Sequence, residues 1–239
     1  MSGTVSSARE EGRQGLMAVV RLEDFRRLWI GQIFSQLADK FYIVLMVFLI
    51  AQHWVSQDAQ SSGAMAEVAS AIRMDIETRA QRITLLATGI YVANTVPAVL
   101  LGMLAGVWAD RWPKRRVMVA SNAMRALLVL LAPVCLLPGP ELLGLSWGYW
   151  ALLLMTFLES VLTQFFAPAE QAAIPLLVPN KLLLAANSLY QATSMAATIV
   201  GFALGQPILR LLNQSLASLG LSGGEFLLLP FCYGMAALS

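Results

Sequence analysis

Charge is scarce in this sequence: Asp, Glu, Lys and Arg make up 13% of its 239 residues. A soluble domain carries about a quarter, so these charges are too few to cover the surface of a water-soluble globule. Histidine occurs once, as His53, which excludes His-based metal centres and proteases of the HExxH type. The two cysteines, Cys135 and Cys232, stand alone in apolar stretches, which makes neither a disulfide framework nor a thiolate metal site. No nucleophile–base spacing and no phosphate-binding loop appears. An enzyme, a cofactor and a bound metal are therefore not expected, and a net charge of +2 gives no reason to expect a nucleic-acid partner. The first 27 residues are polar and of mixed charge and lack the apolar core of a signal peptide, so the first apolar segment is expected to stay in the protein.

What is present is apolar residues, 58% of the chain, gathered in blocks long enough to cross a bilayer, which takes roughly 20 residues at 1.5 Å rise each. After a mobile tail over residues 1–27, the first span is expected over 28–52, polar in its first half (Gln32, Ser35, Gln36, Asp39, Lys40) and apolar in its second. A hydrophilic stretch, 53–82, carries Met65, Val68, Ile72 and Ile76 at helical spacing, which fits an interfacial helix or an extension of the next span. Further spans are expected over 83–109, 117–137, 147–167 and 182–212. LPGPELLG reads as a turn, APAEQAAIPLLVPN as a proline-punctuated loop, and Asn180 as the N-cap of the fifth helix. A sixth apolar run, 226–239, has 14 residues, about 21 Å of helix, which is short of a crossing. From this the chain is expected to be an N-terminal fragment.

Alternating the spans with the N-terminus inside puts ten cations in cytoplasmic segments, among them Arg111, Lys114, Arg115 and Arg116 in one tight link. The outside segments hold four: Arg73, Arg79, Arg82 and Arg210. That asymmetry follows the positive-inside rule and predicts a multi-pass protein of the cell membrane with a cytoplasmic N-terminus.

The link itself, GVWADRWPKRR, is the most specific feature. Gly106 permits close helix approach, Asp110 can accept hydrogen bonds from a helix N-terminus or pair with an arginine, and the cations anchor the link at the headgroups. On physics alone it reads equally well as a plain positive-inside anchor. It also resembles the signature between the second and third helices of the major facilitator superfamily, G-x-x-x-D-R with a following basic cluster. Gly106, Asp110, Arg111 and Arg115 stand at matching positions, and Pro113 replaces the usual second glycine. The stretch FFAPAEQAAIPLLVPNKLLLAANSL is similar to the link between helices four and five of the macrolide-efflux and enterobactin-exporter branch, with Glu170 where relatives carry arginine. The first helix, FRRLWIGQIFSQLADKFY, resembles the same branch. The resemblance implies an all-α fold whose six-helix repeat is two inverted three-helix bundles. It also implies a cavity lined by helices one and four, and a cytoplasmic gate at Gly106, Asp110, Arg111, Arg115, Arg125 and Glu170.

Two acids lie deep in their spans. Asp39 is 11 residues in and Glu159 is 12, about 16 and 18 Å at 1.5 Å per residue, near the middle of a roughly 30 Å core. An ionised carboxylate facing lipid there costs several kcal/mol, so such residues face a cavity or a partner. They suit a proton-carrying cavity together with Gln32 and Gln36. The alternative is a structural pair with Lys40 or Arg125. GFALGQP, with Gly201, Gly205 and Pro207, loosely resembles the G-P-x-x-G-G element of proton-coupled exporters, and reads equally as small-residue packing with a proline kink. The expected activity is proton-coupled efflux of an amphipathic small molecule. The partners are then the lipid bilayer, a small-molecule substrate, protons and the missing C-terminal half. A homodimerising half-transporter and a non-transporting scaffold of the same fold stay open.

Overall fold

The computed structural model describes residues 15–51, 67–218 and 228–238; the side chains of 67–76, 109, 110, 213, 216 and 217 are not described. Expectations falling on 1–14, 52–66, 219–227 and 239 lie outside the described residues.

Six helices carry the fold among the described residues: α1 Glu23–Leu49, α2 Glu67–Arg111, α3 Lys114–Leu130, α4 Trp147–Leu177, α5 Leu183–Ala217 and α6 Leu228–Leu238. Five of them are long and apolar enough to cross a membrane, while α6 is a shorter apolar helix of 11 residues. The core is mostly apolar, built around Tyr42, Leu45, Met46, Leu152 and Leu229. It also holds Gln32, Ser35, Asn122, Arg125, Glu159, Ser160 and Glu170, whereas Val99, Met103 and Leu184 stand more than three-quarters exposed. Charged groups kept inside and bare aliphatic side chains outside is the arrangement a hydrocarbon solvent favours.

Several boundaries differ from the sequence-based expectation. α1 begins five residues before the expected span, at Glu23, where Glu23 and Asp24 complement the positive end of the helix dipole. Ahead of it a short helix over residues 15–21 buries Val19, which packs with Phe25 against Ala186 and Tyr190. The stretch before the second span is an extension: α2 is one 45-residue helix, about 67 Å long at 1.5 Å per residue. LPGPELLG does turn. Pro133 sits in the first turn of a 3₁₀ segment, Ala132–Leu136, and a two-residue hairpin follows between Glu141–Leu142 and Leu145–Ser146. Leu143 (φ 55°) and Gly144 (φ 76°) both take the left-handed conformation that such a tight turn requires.

The proline-punctuated loop is a correction. APAEQAAIPLL is helical, because α4 continues through Pro168 and Pro175 to Leu177. Membrane helices tolerate proline where neighbouring groups re-satisfy the freed carbonyls. Asn180 is a second correction: it is the first residue of a 3₁₀ turn, Asn180–Leu182, that follows Pro179, so it does not cap α5.

The helices pack in the order α5–α1–α6–α3–α4–α2. Exchanging α1 with α4, α2 with α5 and α3 with α6 reads this order backwards, so the packing carries the internal symmetry of two three-helix units. Specific contacts fix it. Tyr149 donates its hydroxyl hydrogen to the Leu86 carbonyl at 3.0 Å, approaching α2 where Gly89 has no Cβ to obstruct it. Ser160 reaches the Asn94 carbonyl at 2.5 Å. Trp29 donates to Thr193 at 2.8 Å, tying α1 to α5. Thr156 directs its hydrogen to the Leu152 carbonyl, so Tyr42 is the donor in the 3.0 Å contact between α1 and α4.

Candidate functional site

The symmetric arrangement brings α1, α3, α4 and α6 together around one cation. Arg125, with a fully buried side chain, lies 3.3 Å through Nη1 from Asp39 Oδ1 and 3.3 Å from Ser35 Oγ. Its Nε stands 3.8 Å from Glu159 Oε1. The Phe166 ring lies 4.9 Å and the Tyr233 ring 5.6 Å from the guanidinium carbon, so aromatic faces shield the charge where no carboxylate does. Tyr233 Oη is 2.9 Å from Asp39 Oδ1 and 3.0 Å from Glu159 Oε1. Glu159 is closed off at 5% exposure of its side chain, while Asp39 keeps 21%. The nearby carboxylates and rings offset the cost of taking this charge out of water, while Nε and Nη2 make no hydrogen bond among the described residues.

The sequence leaves two places for Arg125, the gate or a structural pair with a deep acid. The structure joins it to Asp39 and Glu159. Arg125 is ten residues along α3 from Arg115, about 15 Å at helical rise, and this separates it from the basic link. The structural pairing of Arg125 with a deep acid is the arrangement seen here, and it involves both acids. Gln32 and Gln36 lie on the α1–α5 seam. Gln32 donates to the Tyr190 carbonyl at 3.1 Å, and Gln36 accepts from Ser194 at 3.4 Å.

Beside the cluster, a cavity of about 360 Å³ opens between α1, α3, α4 and α6 on the side of the basic link. Its wall includes Gln32, Asn122, Phe166 and Glu170, with Arg27, Lys114 and Arg115 near its mouth. Asn122 accepts from Ser35 at 3.3 Å, so the cavity wall and the Arg125 shell share a hydrogen-bond chain. Glu170 is buried and accepts from the Tyr190 hydroxyl at 2.8 Å, so this acid has a partner of its own.

The basic link is short. α2 ends at Arg111, Trp112 and Pro113 bridge, and α3 starts at Lys114. Arg111 and Arg115 are exposed; the side chain of Asp110 is outside the described residues. Trp108 and Trp112 both stack on Phe165 of α4 at 6.3 Å, which pins the link sideways. Gly106 corrects the close-approach reading, because a Cβ there would meet no described atom within 4 Å. Close approach occurs instead in GFALGQP. A Cβ on Gly201 would collide with the Lys40 side-chain stem, and one on Gly205 would press on Val44 at 3.1 Å and Phe41 at 3.3 Å. Pro207 lies inside α5, which continues to Ala217. This element packs α5 onto α1.

Tyr233 was not singled out in the sequence. A tyrosine in an apolar run is unremarkable, and only the symmetry that pairs α6 with α3 marks it as the counterpart of Arg125. Among the described residues no group of His, Cys, Asp and Glu is placed to hold a metal ion.

A bundle of apolar helices closed around a charged, hydrogen-bonded centre is a multi-pass membrane protein embedded in a lipid bilayer. Residues 28–236 match the family model of the Major Facilitator Superfamily, and the chain belongs to that superfamily. Two curated relatives are uncharacterized MFS-type transporters, one of Mycobacterium bovis and one of Mycobacterium tuberculosis. Each is 31% identical to this chain over 113 residues, which is 47% of this chain and 24% of the relative's length. The chain thus matches about a quarter of each relative. No solved structure matches it.

Proposed function

We propose that this bundle works in a proton-coupled exporter of amphipathic small molecules, of the macrolide-efflux and enterobactin-exporter kind, by alternating access in the cell membrane with its N-terminus cytoplasmic. The observation that carries the reading is Arg125 held between Asp39 and Glu159. One cation neutralises one carboxylate. The second carboxyl is the group that takes or releases a proton, and in a low-dielectric interior that exchange changes the local field by a whole charge. Such a change is large enough to bias two arrangements of a bundle against each other. Asp39, the more open acid, is the side from which a proton enters. The cavity on the side of the basic link, whose wall joins the cluster through Asn122 and Ser35, favours approach from that side, and the skew of cations towards that link supports its cytoplasmic placement.

Alternating access needs a second bundle facing this one. The bare aliphatic faces of α2 (Val99, Met103) and α5 (Met195, Ile199) are symmetry-related and suit such a partner. The test uses the full-length protein in proteoliposomes with a macrolide as probe and an imposed pH gradient. Asp39→Asn abolishes pH-driven export while the amount of reconstituted protein stays unchanged. Export by Asp39→Asn at the wild-type rate and with the wild-type pH dependence reduces Asp39 to a structural residue and defeats the reading.

A further inference from the structure

Tyr233 stands between two carboxyl groups and has one hydroxyl hydrogen. Its oxygen lies 2.9 Å from Asp39 Oδ1 and 3.0 Å from Glu159 Oε1, both hydrogen-bond distances between oxygens. If both acids were ionised, that hydrogen would satisfy one of them. The other would bring a negative oxygen against the lone pairs of the phenol. Splitting the hydrogen between two carboxylates leaves both bonds bent and two like charges side by side. The arrangement closes without conflict when one carboxyl carries a proton: that carboxyl donates to the Tyr233 oxygen, and Tyr233 donates to the remaining carboxylate. Among the ion pairs of the cluster, Arg125 then faces one net negative charge, with Lys40 acting on Glu159 from farther off.

We infer that Tyr233 is a proton relay between Asp39 and Glu159, and that the two acids hold one proton between them through its hydroxyl. This rests on the proton-coupled reading of the same cluster. The step balances as two simultaneous transfers. The O–H bond of protonated Asp39 breaks as its proton joins the Tyr233 oxygen, and the original Tyr233 O–H breaks as that hydrogen joins Glu159. Tyr233 ends neutral, Asp39 ends ionised, and the proton has moved from the more open acid to the enclosed one. The other charged and titratable groups around this chain include Arg125 on α3, Lys40 and Tyr42 on α1, Glu170 on α4 and Tyr190 on α5. Tyr42 bonds Thr156, and Glu170 bonds Tyr190, so neither competes for the Tyr233 hydroxyl. Tyr233 is the α6 residue that reaches both acids, and without it no described hydrogen bond links Asp39 to Glu159.

The test is infrared difference spectroscopy of the full chain purified in detergent and titrated with acid. A carboxyl band is expected that both Asp39→Asn and Glu159→Gln erase, since either variant leaves Arg125 with one carboxylate. In Tyr233→Phe the band moves to higher frequency, because the carboxyl loses the phenol oxygen as acceptor. An unmoved band in correctly folded Tyr233→Phe overturns the inference. Should that variant fail to fold, wild-type protein with ring-labelled tyrosine gives the same information. The chain has five tyrosines, and a phenol C–O band must shift in step with the carboxyl band. Carboxyl titration with silent tyrosines overturns the relay, as does a band that survives removal of one acid. These spectra do not depend on transport, so a relay seen in a protein that moves no substrate would defeat the export reading alone.

Discussion

Replacing Arg125 with methionine keeps most of the side-chain volume and removes the charge. In the wild type the guanidinium lies 3.3 Å from Asp39 and 3.8 Å from Glu159. At an effective dielectric of 20 the contact to whichever of the two acids is ionised is worth about 4–5 kcal/mol of Coulomb attraction before desolvation is counted. Desolvation of the buried partners offsets much of this, and protonation of the abandoned acids limits the loss further. The net cost of breaking one side of a buried ion pair is therefore about 3–5 kcal/mol. For a chain of this size 1 kcal/mol moves the unfolding midpoint by about 2–4 °C, so the variant should melt roughly 6–20 °C lower. The assay is loss of the monodisperse peak in size-exclusion chromatography after heating in detergent. The triple variant Arg125→Met, Asp39→Asn, Glu159→Gln should recover most of the loss, since neutral amides still bond Tyr233 and no unpaired charge stays buried. An Arg125→Met protein that melts within a degree or two of wild type would refute the reasoning. So would a triple variant as unstable as the single one.

Two further outcomes are expected. Gly201→Ala drives a Cβ into the Lys40 stem and should cost about 1–3 kcal/mol, whereas Gly106→Ala meets nothing among the described residues and should be neutral or up to about 1 kcal/mol stabilising; the reverse order in thermal unfolding would show the α1–α5 packing to be wrong. Single cysteines at Arg116 and Glu141, both exposed and at opposite ends of the α3 segment, should react with an impermeant reagent from opposite sides of the membrane, and labelling of both from one side would overturn the crossing.

Much of this architecture is written in the chain because hydrocarbon imposes a crude rule that sequence obeys visibly. Blocks of about 20 apolar residues locate five of the helices, and charges inside such blocks expose Asp39, Glu159 and Arg125 as residues needing partners. Which partner each finds depends on helix order, and no block records that. Hence Arg125 reads both as a gate residue and as a partner for a deep acid, and only the packing brings it to both acids. Pro168 and Pro175 misled because the proline rule is learned in water, where a broken helix can be solvated; between packed membrane helices the backbone stays helical. Gly106 and Gly201 look alike in sequence, and only the neighbour on the facing helix separates open space from a tight contact. Tyr233 was illegible because its role comes from position across the bundle, with no departure from the composition around it.

The symmetry of the packing has a consequence for how the protein is made. Each acid has one partner on its own three-helix unit and one on the other. Asp39 meets Arg125 within α1–α3 and Tyr233 across; Glu159 meets Tyr233 within α4–α6 and Arg125 across. Synthesis runs from the N-terminus, and the first unit is complete at Leu130 before Glu159 has been translated. The first unit thus holds a cation and an acid in contact with each other, whereas the second unit brings one acid and a phenol but no cation to the cluster. Glu159 meets its cation only once the two units are packed together, so the later unit depends on the earlier one during assembly.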